Sequence, residues 1–234
     1  MTTSTDQIND LISKATDLVA FFEGERDALV TARTNLPDLL ELVLYVDDLN
    51  GLPGGAGTLA DPMDSIDTAI ESLKNGQAAE IRLLADAVWN EEHRKTNCPL
   101  QIFGWDGGSN SLAQRTLTFA NQAANSPGAL PGIHVSGSAS VQIKSCDIVL
   151  SPDTTTGLAH FTSWGMMAII ITGGEIIGTV GGGALLKASF GSFSLAVHNL
   201  VMTDMAGRWL TGFAAGTPIT TDATGGLIDP AVVN

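Results

Sequence analysis

Apolar residues recur at spacings of three and four near the start of the chain. Ile8, Leu11, Ala15, Leu18, Phe22, Leu29 and Ala32 form the series, with Glu25 its one polar member. This a/d spacing predicts a helix whose seam packs on the seams of other helices, a coiled coil. Ile12, Val19 and Phe21 widen the stripe, which suits three helices better than two. A single amphipathic helix packed on its own domain is the alternative. Gly24 weakens an isolated helix by about 1 kcal/mol, so packing has to offset it. Further on, Leu39, Leu40, Val43 and Leu44 behind Pro37 predict a short apolar helix that stops at Asp47–Asp48. Residues 49–59, rich in Gly and Pro, predict a linker. Asp61-Pro62 opens another helix with Ile66, Ile70 and Leu73 on one stripe, and Ile81, Leu84 and Val88 continue the helical pattern.

The period then changes. Ile133, Val135, Ala139, Val141 and Ile143 alternate with polar neighbours, as do Leu195 and Val197, which predicts strands with one wet face. Gly173–Gly174 between two apolar runs predicts a tight hairpin turn. No fixed-period repeat marks a solenoid. The expected fold is α+β: a coiled-coil stalk over 1–35, a helical linker region over 36–95 and a mostly antiparallel β-rich body over 96–234, assembled as a homotrimer.

Charge sharpens this picture. The 234 residues carry a formal net charge of −14, which argues against nucleic acid or anionic lipid as partner, and no basic cluster is present. Residues from 96 onward hold 7 acidic and 4 basic residues but 20 of the 26 glycines. A body so poor in charge keeps soluble by hiding surface in other copies or by presenting small polar groups. No apolar run is long enough for membrane insertion. Cys98 and Cys146 make no disulfide framework and are expected as separate thiols.

Candidate chemistry is sparse. No nucleophile elbow or phosphate loop occurs, so no catalytic residue or cofactor is expected and the chain reads as non-enzymatic. His93, His134, His160 and His198 lack metal-ligand spacing, so no metal is expected; His134 and His198 could ligate only across a symmetry axis. Glycoside cleavage needs two carboxyls about 5–9 Å apart. The body offers Asp106, Asp147, Asp153, Glu175, Asp204, Asp222 and Asp229, several beside turn residues. Saccharide binding asks for less: an exposed aromatic face and polar neighbours. Trp105 with Asp106 on a glycine-rich loop, Trp164 and Trp209 are the candidates, with core packing the competing role for each indole.

The opening run Ile8 to Leu18 with Phe21-Phe22-Glu23-Gly24-Glu25 resembles the helical N-terminal segments of tailed-bacteriophage fibre proteins. The Gly-, Ser- and Thr-rich body is similar in composition to the distal parts of such fibres. The resemblance implies a virion structural protein, a trimeric fibre, spike or head (capsid) decoration. It would be assembled in the host cytoplasm, bound to other tail or capsid proteins, and adhere to a host-surface glycan. A stand-alone carbohydrate-binding module and a polysaccharide-degrading spike are the alternatives.

Overall fold

A computed structural model of the chain describes residues 9, 12–24, 26, 41–152, 157–178, 183–189 and 191–211. The chain divides into two units, residues 1–41 and 42–234. In the first unit residues 12–24 form a helix, α1, whose Ile12, Leu18, Val19, Phe21 and Phe22 are each more than half exposed. Ala15 is exposed too. The seam positions Ile8, Leu11, Leu29 and Ala32 lie outside the described residues. The expected long coiled-coil stalk is corrected: among the described residues no long stalk is present, and Ala15, Leu18 and Phe22 lie exposed on α1. Three-and-four spacing specifies an apolar helix face and leaves its partner unspecified.

The second unit opens with β1 (Glu41–Val46) and the helix α2 (Ile66–Ser72). The chain then winds in repeated turns. The first turn is β2 (Ala78–Leu83), β3 (Ala87–Trp89) and β4 (Glu92–Thr96). The second is β5 (Leu100–Asp106), the short β6 (Ser111–Leu112), β7 (Arg115–Phe119) and β8 (Gly132–Ser136). The third is β9 (Ser138–Lys144), β10 (Cys146–Val149) and β11 (Ala159–Ser163). The fourth is β12 (Met166–Thr172), β13 (Glu175–Ile177) and β14 (Ala184–Ala188). β15 (Ser192–His198) and β16 (Val201–Thr203) begin a fifth. Three sheets result, ordered β1-β2-β5-β9-β12-β15, β3-β7-β10-β13-β16 and β4-β8-β11-β14. From β2 onward their pairings are parallel, and β6 alone lies antiparallel, on β5. The body is a three-sided parallel β-helix.

This overturns the expected antiparallel body. The strands of the body were legible because period two is the same in either pairing; the direction of pairing is not written in it. Gly173–Gly174 is no hairpin but the corner between β12 and β13, which lie in different sheets. Both glycines have positive φ, and a Cβ on Gly174 would meet Cys146 O at 2.3 Å. Gly174 is needed because one turn stacks closely on another, and Gly173 only for its left-handed backbone. The expected helices over 41–46 and 81–89 are likewise corrected to strands, so β structure begins well before residue 96.

Inward side chains stack in columns between the turns. Ala79, Leu100, Val141, Ile169 and Leu195 form one, and Ile81, Ile102, Ile143, Ile171 and Val197 the next. All ten are buried, and each fully buried Leu, Ile or Val is worth roughly 1.5–3 kcal/mol. Cys98 and Cys146 are buried, separate thiols. α2 starts at its Ser65 N-cap, whose hydroxyl accepts from Thr68 N. Its Ile66, Ala69 and Ile70 are buried, and it packs on β3 and β4. Two polar clamps hold it there. Asp67 accepts from Asn90 N and Glu91 N and lies 3.0 Å from His93 Nε2. Lys95 Nζ donates to Leu73 O at the helix C-terminus.

Candidate functional site

Strand parity decides which side chains of the third sheet turn away from the coil's interior, although Thr162 among them stays buried. Ile133, Val135, Phe161 and Leu186 are buried in the coil. Arg94, His134, Thr162 and Lys187 have the opposite parity and share one register across β4, β8, β11 and β14. They form a row along the stacking direction. Two hollows of about 190 and 240 Å³ lie over this row and share Arg94, His134 and Trp164 as lining. Together they make one groove.

Each wall of the groove has a structural origin. Trp164 occupies the corner between β11 and β12, its backbone N–H donating to Val135 O at 2.8 Å, and is 55% exposed. Its neighbour Gly165 permits this close stacking, since a Cβ there would meet Gly137 O at 2.1 Å. The opposite wall is the connection between β7 and β8, including Ser126, Pro127 and Gly128. Asn125 pins that connection to β4: its side chain accepts from Glu92 N at 2.9 Å and donates to Glu92 O at 2.8 Å. An amide side chain here imitates a strand partner.

The floor is polar and held in place. Glu92 Oε1 lies 2.8 Å from Arg94 Nε and 2.9 Å from His134 Nδ1. Burial pushes the Glu92 carboxyl up, but hydrogen bonds from Arg94 and Ser126, the charge of Arg94 and that of His134 whenever it is protonated outweigh it, so it sits below its ordinary value. Burial lowers His134, with Arg94 and Lys187 adding and Glu92 opposing. The neutral imidazole donates through Nδ1 to Glu92 and keeps Nε2 as an acceptor. Lys187 Nζ donates to Gly157 O at 2.7 Å.

The four residues expected to bind glycan part company here. Trp164 stands in the groove. Trp209 is 1% exposed and belongs to the core, where it can offer no face to a ligand. Trp105 is half-buried beneath Arg82, whose guanidinium carbon lies 4.1 Å from the ring centroid. Asp106 closes its own turn by accepting from Gly108 N and Ser109 Oγ. Glu92, Arg94, Thr162 and Lys187 were not singled out from sequence. Reading residues 92–96 as a strand would have placed Arg94 outward, but the register joining it to Lys187 has no local signal.

Paired carboxyls do not meet in the groove: among the described residues it is lined by one carboxylate, Glu92. Asp147 is occupied by Gln114 Nε2 and Glu175 N, and Glu175 accepts from Thr203 Oγ1. Asp153, Asp222 and Asp229 lie outside the described residues. No three His, Cys, Asp or Glu side chains among the described residues converge as metal ligands. Among the same residues no helix is long and apolar enough to cross a membrane. Comparison with protein-family models, characterised proteins and solved structures finds no match to this chain.

Proposed function

We propose that this chain is the adhesive body of a virion spike or capsid decoration, assembled as a homotrimer, that holds a host-surface glycan on its third sheet. The observation that carries the reading is Trp164, an exposed indole at the rim of a groove whose floor is lined by hydrogen-bonding side chains already fixed by partners. Sugar rings offer an apolar face for stacking and a rim of hydroxyls, and this groove supplies the complement of both. Its lone carboxylate is spent on Arg94 and His134, which supports holding a saccharide rather than cleaving it. The setting on a particle rests on the fibre-like composition of the body. Trp164→Ala is expected to weaken glycan binding five- to tenfold, roughly 1–1.4 kcal/mol, while Trp105→Phe leaves it unchanged. Glycan-array screening followed by calorimetry on the best ligand measures this. Equal affinity of Trp164→Ala and wild type would sink the groove as the binding site.

Assembly is supported by the first sheet. Its outward rows Ser140, Ala168, Ser194 and Gln142, Ile170, Ala196 carry no charge across β9, β12 and β15. Copies of a chain with net charge −14 can meet on these two rows without like-charge repulsion between them, with Lys144 on the next row of β9 at their edge. Sedimentation is expected to give three chain masses for wild type and one for Ile170→Glu. A wild-type chain that sediments as a monomer favours the stand-alone carbohydrate-binding module and removes the trimer.

A further inference from the structure

The groove runs against the charge of the chain that builds it. The molecule is strongly anionic, with a net charge of −14, yet this row presents Arg94 and Lys187. Arg94 spends its Nε on Glu92, and its side chain remains 77% exposed. The outer edge of a guanidinium so held is a planar fork of the kind that takes a carboxylate with two parallel hydrogen bonds. Glu92 does the aiming: a buried, ionised carboxylate grips the inner edge and turns the outer edge to solvent. Lys187 gives one donor to Gly157 O and has two more. Three strand spacings separate the two cations, roughly 14 Å along the stacking direction. His134 and Thr162 lie between them at the same register.

A neutral sugar needs none of this charge. With Lys95 spent on Leu73 O, Arg94 and Lys187 are the cations this groove turns to solvent, and uncharged hydroxyls gain little from them that Ser or Asn would not supply. The long-range field of the molecule repels an anion, so the local pair must supply the attraction at short range. We propose that the groove's ligand is an acidic polysaccharide, read through carboxylates on separate sugar units by Arg94 and Lys187 while Trp164 stacks on an intervening ring. This rests on the glycan-binding reading above and specifies its ligand class.

The test uses the full chain and three probes: polygalacturonate, its fully methyl-esterified neutral form, and dextran. Affinity is measured at 50 and 300 mM salt for wild type, Trp164→Ala and the double variant Arg94→Gln/Lys187→Gln. Wild type is expected to bind polygalacturonate at least tenfold more tightly than the ester, and to lose most of that preference at high salt. The double variant is expected to lose at least tenfold for polygalacturonate and to bind the ester as wild type does. Its unfolding midpoint is expected to fall modestly, because Glu92 loses its Arg94 hydrogen bond and Gly157 O its Lys187 donor, so retained ester binding is the control for an intact fold. Equal binding of ester and acid, unaffected by the double substitution, overturns the acidic ligand and leaves the groove as a neutral-sugar site. Failure of wild type to bind any of the three overturns both readings.

Discussion

Gly132→Ala is expected to cost about 4 kcal/mol or more and to leave little folded protein. Gly132 opens β8 with φ of +143°, a backbone region that residues with a Cβ rarely enter. A Cβ added there would lie 1.9 Å from His160 O, 2.7 Å from its carbonyl carbon and 2.9 Å from its Cα. All three are backbone atoms of the next turn, β11, so no rotamer change relieves the contact. The turns have to separate, and separating them opens the columns that make the core. Gly128 provides the control. It also has positive φ, +88°, but nothing lies within 4 Å of its added Cβ. Gly128→Ala is therefore expected to cost only the conformational term, about 1–2 kcal/mol. Urea unfolding of both variants beside wild type measures the difference. If the two lose the same stability, close stacking of successive turns is not what requires glycine at 132.

That stacking also explains what the sequence conceals. Residues at one column position, Ala79, Leu100, Val141, Ile169 and Leu195, are separated by 21, 41, 28 and 26 residues. The longest interval contains the excursion with β6 and the connection that walls the groove. Insertions at corners leave the strands in register and destroy the numerical repeat, so periodicity along the chain cannot reveal periodicity in space. Alternation was readable in β9 and β15, because one face of each strand is buried and the other is not. In residues 78–89 the apolar run fitted both helix and strand: Ile81, Leu84 and Val88 match three-and-four spacing, yet Ala79, Ile81 and Leu83 are the residues that point inward. Short apolar runs carry this ambiguity inherently. The α2 stripe of Ile66, Ile70 and Leu73 had no such competitor, since Leu73 follows Ile70 at a distance no strand face allows. Of the site, Trp164 was visible as one of three candidate indoles. Arg94 and Lys187 were not, because their proximity comes from winding the chain three times around its axis.

Acid should destabilise this protein through His160. The imidazole is fully buried between β7 and the connection that precedes β8, its ring centroid 4.1 Å from that of Phe119. Nδ1 lies 2.7 Å from Pro131 O and Nε2 accepts from Ser151 N at 3.3 Å. Nδ1 therefore carries the proton, and a second proton on Nε2 would face an N–H donor. Burial depresses the group from 6.5 to about 4, with Arg208 adding to the effect and the Pro131 hydrogen bond opposing it. The sign follows from proton uptake. Below 6.5 the unfolded chain binds a proton that the native state refuses until about 4. The stabilisation is thus complete above 6.5 and is lost as pH falls through that window. At about 1.4 kcal/mol per pH unit the loss is about 3 kcal/mol. Asp48 acts in the opposite sense, because burial, its largest influence, raises its carboxyl to about 6, so the native state takes up a proton there first. Wild type alone would blend the two effects. Comparison with His160→Gln separates them, since Asp48 is common to both. The variant is expected to be less stable at pH 7, and the gap should narrow by about 3 kcal/mol by pH 4, read from urea unfolding at pH 7, 5.5 and 4. A gap that stays constant across that range would mean that His160 titrates normally in the folded protein, and that the seal over it between Pro131, Ser151 and Phe119 is open to water.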